Sequence, residues 1–173
     1  MKKYFIIALI LLLASGCVKQ AVAPAQTPPA QSQTPTSTPI SLPVEYNNTQ
    51  YGFIFSLPAD WQNFSTFSST WTGMPLQGSQ YKSAITGPEI FIRNPNWTEA
   101  NQYEDIPVMV FTPAEWGEIQ KETLAVSAAP IPPSELGQNP KYVFALPPRY
   151  DFDYKTGYQE VETIIQSSPL KGY

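Results

Sequence analysis

Residues 46–61 read YNNTQYGFIFSLPADW, and this stretch decides the fold that the sequence predicts. Every second residue in its middle is large and apolar, a period that predicts a β-strand with one buried face: Tyr51, Phe53, Phe55 and Leu57. Residues 44–46 can form a shorter strand, and residues 47–50 a turn, because asparagine tolerates left-handed backbone. Pro58 ends the second strand and Trp61 is expected to cap a core. The stretch therefore predicts a β-hairpin.

Further strands are predicted at residues 89–93, 106–111 and 141–146, where β-branched and aromatic residues concentrate. Ser68–Gly73 predicts strand ends and a turn, because serine, threonine and glycine dominate it. Residues 125–140 predict a proline-rich loop.

Two helices are predicted between and after these strands. Thr112, Pro113 and Glu115 form a helix start in which threonine caps, proline takes the first position and glutamate completes a capping box. In this helix we expect three side chains to face the sheet and three to face solvent: Trp116, Ile119 and Leu124 inward, Glu118, Lys121 and Glu122 outward. Residues 156–159 predict a second capping box, followed by a buried stripe of Val161, Ile164 and Ile165.

The stretch at residues 46–61 resembles the opening of PsbP-like domains, which begin with an aromatic residue, a polar turn, Tyr-Gly-Phe, an alternating strand, then Pro and Trp. Residues 142–146 and 157–167 would be the strand and helix that close such domains. The resemblance implies an α+β sandwich in which helices flank an antiparallel sheet, as a single domain over residues 44–173. It also implies a non-catalytic exported or accessory protein.

The first residues predict export. Lys2 and Lys3 precede an apolar run, Tyr4–Ala14, which is too short to span a bilayer as a helix. The run exits through small residues into Cys17, the single cysteine of the chain. This exit resembles the lipobox of bacterial lipoproteins, so residues 1–16 are interpreted as a signal peptide and Cys17 as the lipidated new N-terminus. Ordinary cleavage is the alternative, and it would leave an unpaired thiol in an exported protein.

Residues 17–43, which comprise the lipidated cysteine and a linker rich in Pro, Thr and Gln, predict a disordered tether. The predicted location is the outer side of the cell membrane or the outer membrane, with the membrane bound through the lipid anchor. In lipoproteins of diderm bacteria, an aspartate directly after the lipidated cysteine often marks retention at the inner membrane. This chain has Val18 at that position, which weakly favours another destination.

Composition excludes several classes of function. Removal of residues 1–16 leaves eight basic and fourteen acidic residues, a net charge of about −6, so nucleic-acid binding is not expected. The chain has no histidine, which removes the usual general base and the commonest zinc ligand. No cofactor, metal or catalytic residue is predicted, and a hydrolase is a weak alternative. One cysteine allows no internal disulfide, so folding must depend on an apolar core.

Three matches to known motifs are interpreted as chance or as ordinary structural features without a catalytic or metal-binding role. Ser79–Lys82 and Lys155–Gly157 match two boxes of penicillin-recognising enzymes, but the first lies in non-helical sequence and the third box is missing. Residues 151–162 partly match a calcium-binding loop. They depart from it in two ways, because Lys155 stands at a ligand position and the glycine, Gly157, comes one place late. We interpret these residues as a turn with solvated acids.

The remaining functional candidate is an aromatic loop after the last predicted strand. Arg149, Tyr150, Asp151 and Asp153 in this loop are possible binding residues, because arginine and tyrosine are enriched at interface hot spots. A binding site would need the loop to line a pocket with Trp71 or Trp97. The sequence therefore predicts an accessory protein with an envelope-protein partner, or alternatively a solute- or glycan-binding module.

Overall fold

A computed structural model of the chain describes residues 42–129, 131–148 and 155–173. In chain order the elements are β1 (Val44–Asn48), β2 (Phe53–Leu57), a 3-10 turn (Ala59–Trp61), β3 (Ser65–Pro75), β4 (Ile85–Arg93), β5 (Ile106–Phe111), α1 (Pro113–Gln120), β6 (Leu124–Ala125), β7 (Ser134–Gln138), β8 (Val143–Leu146), α2 (Tyr158–Gln166) and β9 (Leu170–Gly172). Cys17, the linker and the aromatic loop lie outside the described residues.

The strands form two sheets with antiparallel pairing throughout. The smaller sheet has the order β1-β2-β9, and the larger, curled into a half-barrel, has the order β6-β3-β4-β5-β8-β7. Two helices accompany them, so the prediction of an antiparallel α+β fold is confirmed at this level.

The predicted hairpin is confirmed, but its turn lies at residues 49–52 rather than 47–50, so Tyr51 belongs to the turn and not to the buried face of the second strand. β1 and β2 pair from Val44–Leu57 to Asn48–Phe53, and the turn closes with a hydrogen bond of 2.9 Å from the Gly52 N–H to the Asn48 carbonyl. Gly52 has φ 73°, a left-handed conformation that glycine adopts without strain. Trp61 caps the core as expected, and its indole N–H donates to Glu160 at 2.7 Å.

The larger sheet carries an apolar cluster on each face. One cluster lies towards β2, β9 and α2 and has as its buried members Phe53, Phe55, Leu57, Trp61, Ile90, Ile92, Ile106, Val108, Val110, Phe144, Val161, Ile164 and Leu170. The other lies towards α1 and contains Trp71, Met109, Phe111, Ile119, Leu124, Val143 and Ala145. Alternate residues of β5 pack into the two clusters, so this strand is buried on both faces and is apolar almost throughout.

Three local predictions are wrong. Ser68–Gly73 is the middle of β3, an 11-residue strand, and β7 lies within the predicted proline-rich loop. Gly157, with φ 82°, is the N-cap residue of α2, and no side chain caps this helix. Of the predicted stripe, Val161 and Ile164 are buried, and Ile165 is half-buried against the same core.

The helix start of α1 is confirmed, but one residue of the helix is not where the sequence places it. Thr112 and Glu115 make both hydrogen bonds of the capping box. Glu118 was expected in solvent and is buried, because the Gln80 N–H and the Thr123 hydroxyl donate to its carboxylate at 3.1 and 2.9 Å. Leu124 is buried as expected, in β6 rather than in the helix.

Candidate binding face

One face of the β3–β4 pair carries aromatic and charged side chains beyond the part that α1 covers. The pairing sets Ser65 beside Arg93, Phe67 beside Phe91 and Ser69 beside Glu89. Because side chains alternate along a strand, all six share this face. We call these six residues, together with Trp97, the stacked face.

Two parallel rings begin the stack. Phe67 and Phe91 lie with their centres 4.7 Å apart and their planes within 3° of each other. Phe67 is 38% exposed, although rings of this size normally lose most of their surface to water on folding. The stack is therefore partly open to solvent.

Arg93 extends the stack and is fixed at its charged end. Its guanidinium carbon lies 4.5 Å from the ring centre of Phe67 and 3.9 Å from that of Trp97. Asp105 forms a salt bridge with it at 3.1 Å. Cation–π contacts and an ion pair together hold the guanidinium in one position.

The turn after β4 presents Trp97 to this arginine. The Trp97 N–H donates to the Asn94 carbonyl at 3.0 Å, and the Asn96 N–H donates to the Asn94 side-chain oxygen at 2.9 Å. Asn94 is buried, and its side-chain nitrogen has no hydrogen-bond partner among the described residues.

Glu89 supplies the unbalanced charge of the stacked face. It lies between Ser69 of β3 and Met109 of β5 in the sheet register. It makes no hydrogen bond or salt bridge with any described residue, and partial burial raises the pKa of its carboxyl group. A carboxylate in these surroundings gains from a cation or a hydrogen-bond donor that a partner would bring.

Several clefts lie elsewhere on the described part of the domain. A cleft of about 400 Å³ separates the end of the large sheet from α2 and is lined by Glu104, Pro107, Leu146, Pro147, Val161, Glu162, Ile165 and Gln166. A smaller one, about 170 Å³, lies under the segment around Pro132. Both are largely apolar, and Glu104, Glu162 and Gln166 are the polar residues that line the first of them.

No group of three or more His, Cys, Asp or Glu residues within the described ranges could hold a metal ion. The stacked face combines aromatic rings, an arginine and a carboxylate that has no partner among the described residues. Tryptophan and arginine are among the residue types enriched at interface hot spots.

The site residues predicted from sequence are not among the described residues. Cys17, Arg149, Tyr150, Asp151 and Asp153 all lie outside the described residues. Trp71, one of the two tryptophans proposed to complete a pocket, is only 4% exposed, and its indole N–H donates to the Val110 carbonyl at 2.9 Å. It is a core residue.

Trp97, the other proposed tryptophan, is half-buried and stacks on Arg93. The sequence analysis did not single out Phe67, Glu89 or Arg93 as candidate site residues. The available signal was the alternation of Glu89, Phe91 and Arg93 along a predicted strand, which gives one face both charge and an aromatic ring.

Comparison with protein-family models, with characterised proteins and with solved structures finds no match to this chain. Within the described residues, no helix has the length and apolar character needed to cross a membrane.

Proposed function

We propose that this chain is a lipid-anchored extracytoplasmic accessory protein that binds another protein and has no catalytic activity of its own. The observation that carries the binding role is the stacked face, where Phe67 is open to solvent beside a fixed arginine and a carboxylate that has no partner among the described residues. Met1–Cys17 carries the proposed location, since its pattern is that of a lipoprotein signal.

A PsbP-like fold is part of the proposal. It is supported by the hairpin at residues 44–57 and by the C-terminal strand β9, which pairs with β2 of this hairpin. Further support comes from α2, whose Val161 and Ile164 pack into the same core as Phe53 and Phe55. Members of that family are mostly non-catalytic, which agrees with the absence of histidine from the sequence.

The anchor is tested with Cys17→Ala. Cells expressing the natural chain or the variant are grown with a radiolabelled fatty acid and fractionated. We expect label and membrane association for the natural chain and neither for the variant. Label that persists on Cys17→Ala would refute lipidation at this residue.

The binding role is tested by cross-linking in intact cells. A photoreactive phenylalanine analogue replaces Phe67 on the stacked face, and in a control chain it replaces Gln120, an exposed residue of α1. We expect a discrete heavier species from position 67 and none from position 120. Equal patterns from both positions, or no adduct from either, would contradict the proposal.

A further inference from the structure

β3 leaves one long edge of the large sheet open. It pairs with β4 along Ser65–Gly73 and with β6 only at Met74 and Pro75. On the side away from β4, Ser65–Gly73 has no strand partner among the described residues. Alternate residues therefore present unpaired N–H and C=O groups to this edge.

The open edge lacks the features that normally prevent strand addition. Residues 65–73 read STFSSTWTG and contain no charged residue and no proline. Residues 65–70 are all exposed. Proteins usually protect such edges with lysine, proline, bulges or covering elements.

The other strand edges show these protections. β1 carries Glu45 and follows Pro43. β7 carries Glu135, has an irregular register between Glu135 and Gly137, and lies beside β9. Gly172 of β9 approaches the Gln138 carbonyl so closely that a Cβ at residue 172 would collide with it. The contrast singles out β3.

We propose that the open edge of β3 accepts an extended segment of a partner protein as an additional antiparallel or parallel strand, with an apolar side chain beside Phe67 and a basic one beside Ser69. The inference rests on the binding role proposed above and assigns the kind of partner. Strand addition takes its affinity from main-chain hydrogen bonds and its specificity from alternate side chains.

The basic residue follows from the position of Glu89. Neighbouring strands lie about 4.8 Å apart, so a residue beside Ser69 is two strand spacings from Glu89. Serine is small, and the long stem of lysine or arginine can pass over it to the carboxylate. Glu89 has no partner of its own among the described residues, and the domain from Val44 onward has seven basic and fourteen acidic residues, so its charge also favours a basic segment.

The apolar residue follows from Phe67. Its ring is exposed on the strand that forms the edge, so the side chain next to it on an added strand would cover it. The opposite face of β3 offers the hydroxyl groups of Thr66, Ser68 and Thr70, all exposed. Two copies that paired through this edge would place Ser65–Gly73 against itself. This segment has no basic residue, and both domains carry a net negative charge, which is why we assign a different protein.

The probe is an array of nonapeptides that alternate threonine with valine, leucine or phenylalanine and have lysine, glutamine or glutamate at the centre. The full mature chain is assayed in detergent micelles. We expect saturable binding in which central lysine exceeds glutamine by roughly three- to fivefold, the size of a modest ion pair, and glutamate is weakest. Glu89→Gln should abolish the preference for lysine over glutamine.

Two proline variants test the edge itself. Adjacent residues of a strand point their N–H groups to opposite sides, so one of Ser68→Pro and Ser69→Pro loses a bond to β4, and the other loses only a donor at the open edge. The edge variant should keep its melting temperature and lose binding at least tenfold. Hydrogen exchange on the natural chain gives an independent readout, because strand addition must protect amides within Ser65–Gly73.

The proposal would be overturned if no peptide of the array bound saturably, or if a peptide bound without protecting the amides of Ser65–Gly73 from exchange. A concentration-dependent dimer that the edge variant abolishes would also overturn it, because a second copy would then occupy the edge. Equal affinity for lysine and glutamate peptides would overturn the assignment of a basic segment. If cross-linking at position 67 succeeds while these tests fail, the binding role is kept and strand addition is refuted. If the peptides bind at the edge but no cross-linked species forms in cells, strand addition in the purified protein is kept and the proposed binding role in cells is refuted.

Discussion

Trp71 and Gly87 face each other across β3 and β4, and the indole ring lies over the glycine. The ring packs at 4.7 Å from that of Phe111 and donates to the Val110 carbonyl. A Cβ at residue 87 would overlap the indole. We therefore expect Gly87→Ala to displace Trp71 and lower the free energy of unfolding by about 2–3 kcal/mol, as overpacking of a filled core does.

Gly117→Ala is the matched control. Gly117 lies in α1, and nothing lies within 4 Å of the position that its Cβ would take. Alanine there should raise the free energy of unfolding by up to about 1 kcal/mol through helix propensity. Urea unfolding followed by tryptophan fluorescence measures both. Equal effects of the two substitutions would contradict the close packing at residue 87.

At the scale of single residues, sequence reasoning succeeded where the local pattern determines the environment. Phe53, Phe55 and Leu57 alternate with more exposed neighbours, so their burial could be predicted. Trp71 could not be assigned, because its neighbours are serine, threonine and glycine, and the groups that bury it come from β4 and β5. Glu118 was misplaced for the same reason, since Gln80 is 38 residues away.

Among the elements, α1 and the loop before β4 are joined through Glu118. Hydrogen bonds, first from the Ser79 hydroxyl and then from Thr123 and Gln80, hold the pKa of its carboxyl group below the ordinary value of 4.5, against an opposing effect of burial. A lowered pKa in the folded state means that the ionised group stabilises the fold above pH 4.5 and loses this effect as the pH falls through the folded value.

We therefore expect Glu118→Gln to be less stable than the natural chain at pH 7, with the difference narrowing as the pH falls from about 5 to 3. Thermal unfolding of both proteins over this range measures it. Glu122→Gln, a substitution at an exposed residue just beyond the same helix, controls for the loss of one negative charge. A difference in melting temperature that stays constant with pH would show that ionisation of Glu118 is not responsible.

The elements that the sequence predicted well are those whose signal is local. α1 starts where its capping box is, and β5 has the predicted bounds because it is apolar on both faces. β3 was missed because its first six residues, 65–70, are exposed on both faces and show no alternation; its length comes from pairing with β4. β7 was missed for a similar reason, since all its residues are exposed or half-buried.

Across the whole domain, Asn139 joins parts that are distant in sequence. Its side-chain nitrogen donates to the carbonyls of Tyr51 and Gly52 at 2.8 and 2.9 Å, and its oxygen accepts from the Lys141 and Tyr142 N–H groups. The Tyr173 N–H also donates to the Gly52 carbonyl. The hairpin turn, the β7–β8 turn and the C-terminal residue are thus connected, an arrangement that no local pattern could have predicted.

These connections lead to a prediction about the domain boundary. The buried core draws on residues from β2 to β9, and the first described strand begins at Val44, next to the proline-rich linker. We expect proteinase K to cut the mature chain first between residues 18 and 43 and to leave a fragment that begins near Leu42. The physical reason is that a protease needs an extended, unpaired backbone, which a proline-rich segment offers and a paired sheet does not.

N-terminal sequencing and mass determination of the fragment measure the boundary, and thermal unfolding compares the fragment with the mature chain. Equal melting temperatures would show that residues 42–173 contain all that folding requires. Gly87→Ala serves as the control for sensitivity, because a destabilised core should shorten the lifetime of the fragment under the same protease. Early cleavage after Val44 in the natural chain, or a fragment that melts well below the mature chain, would contradict a boundary at the linker.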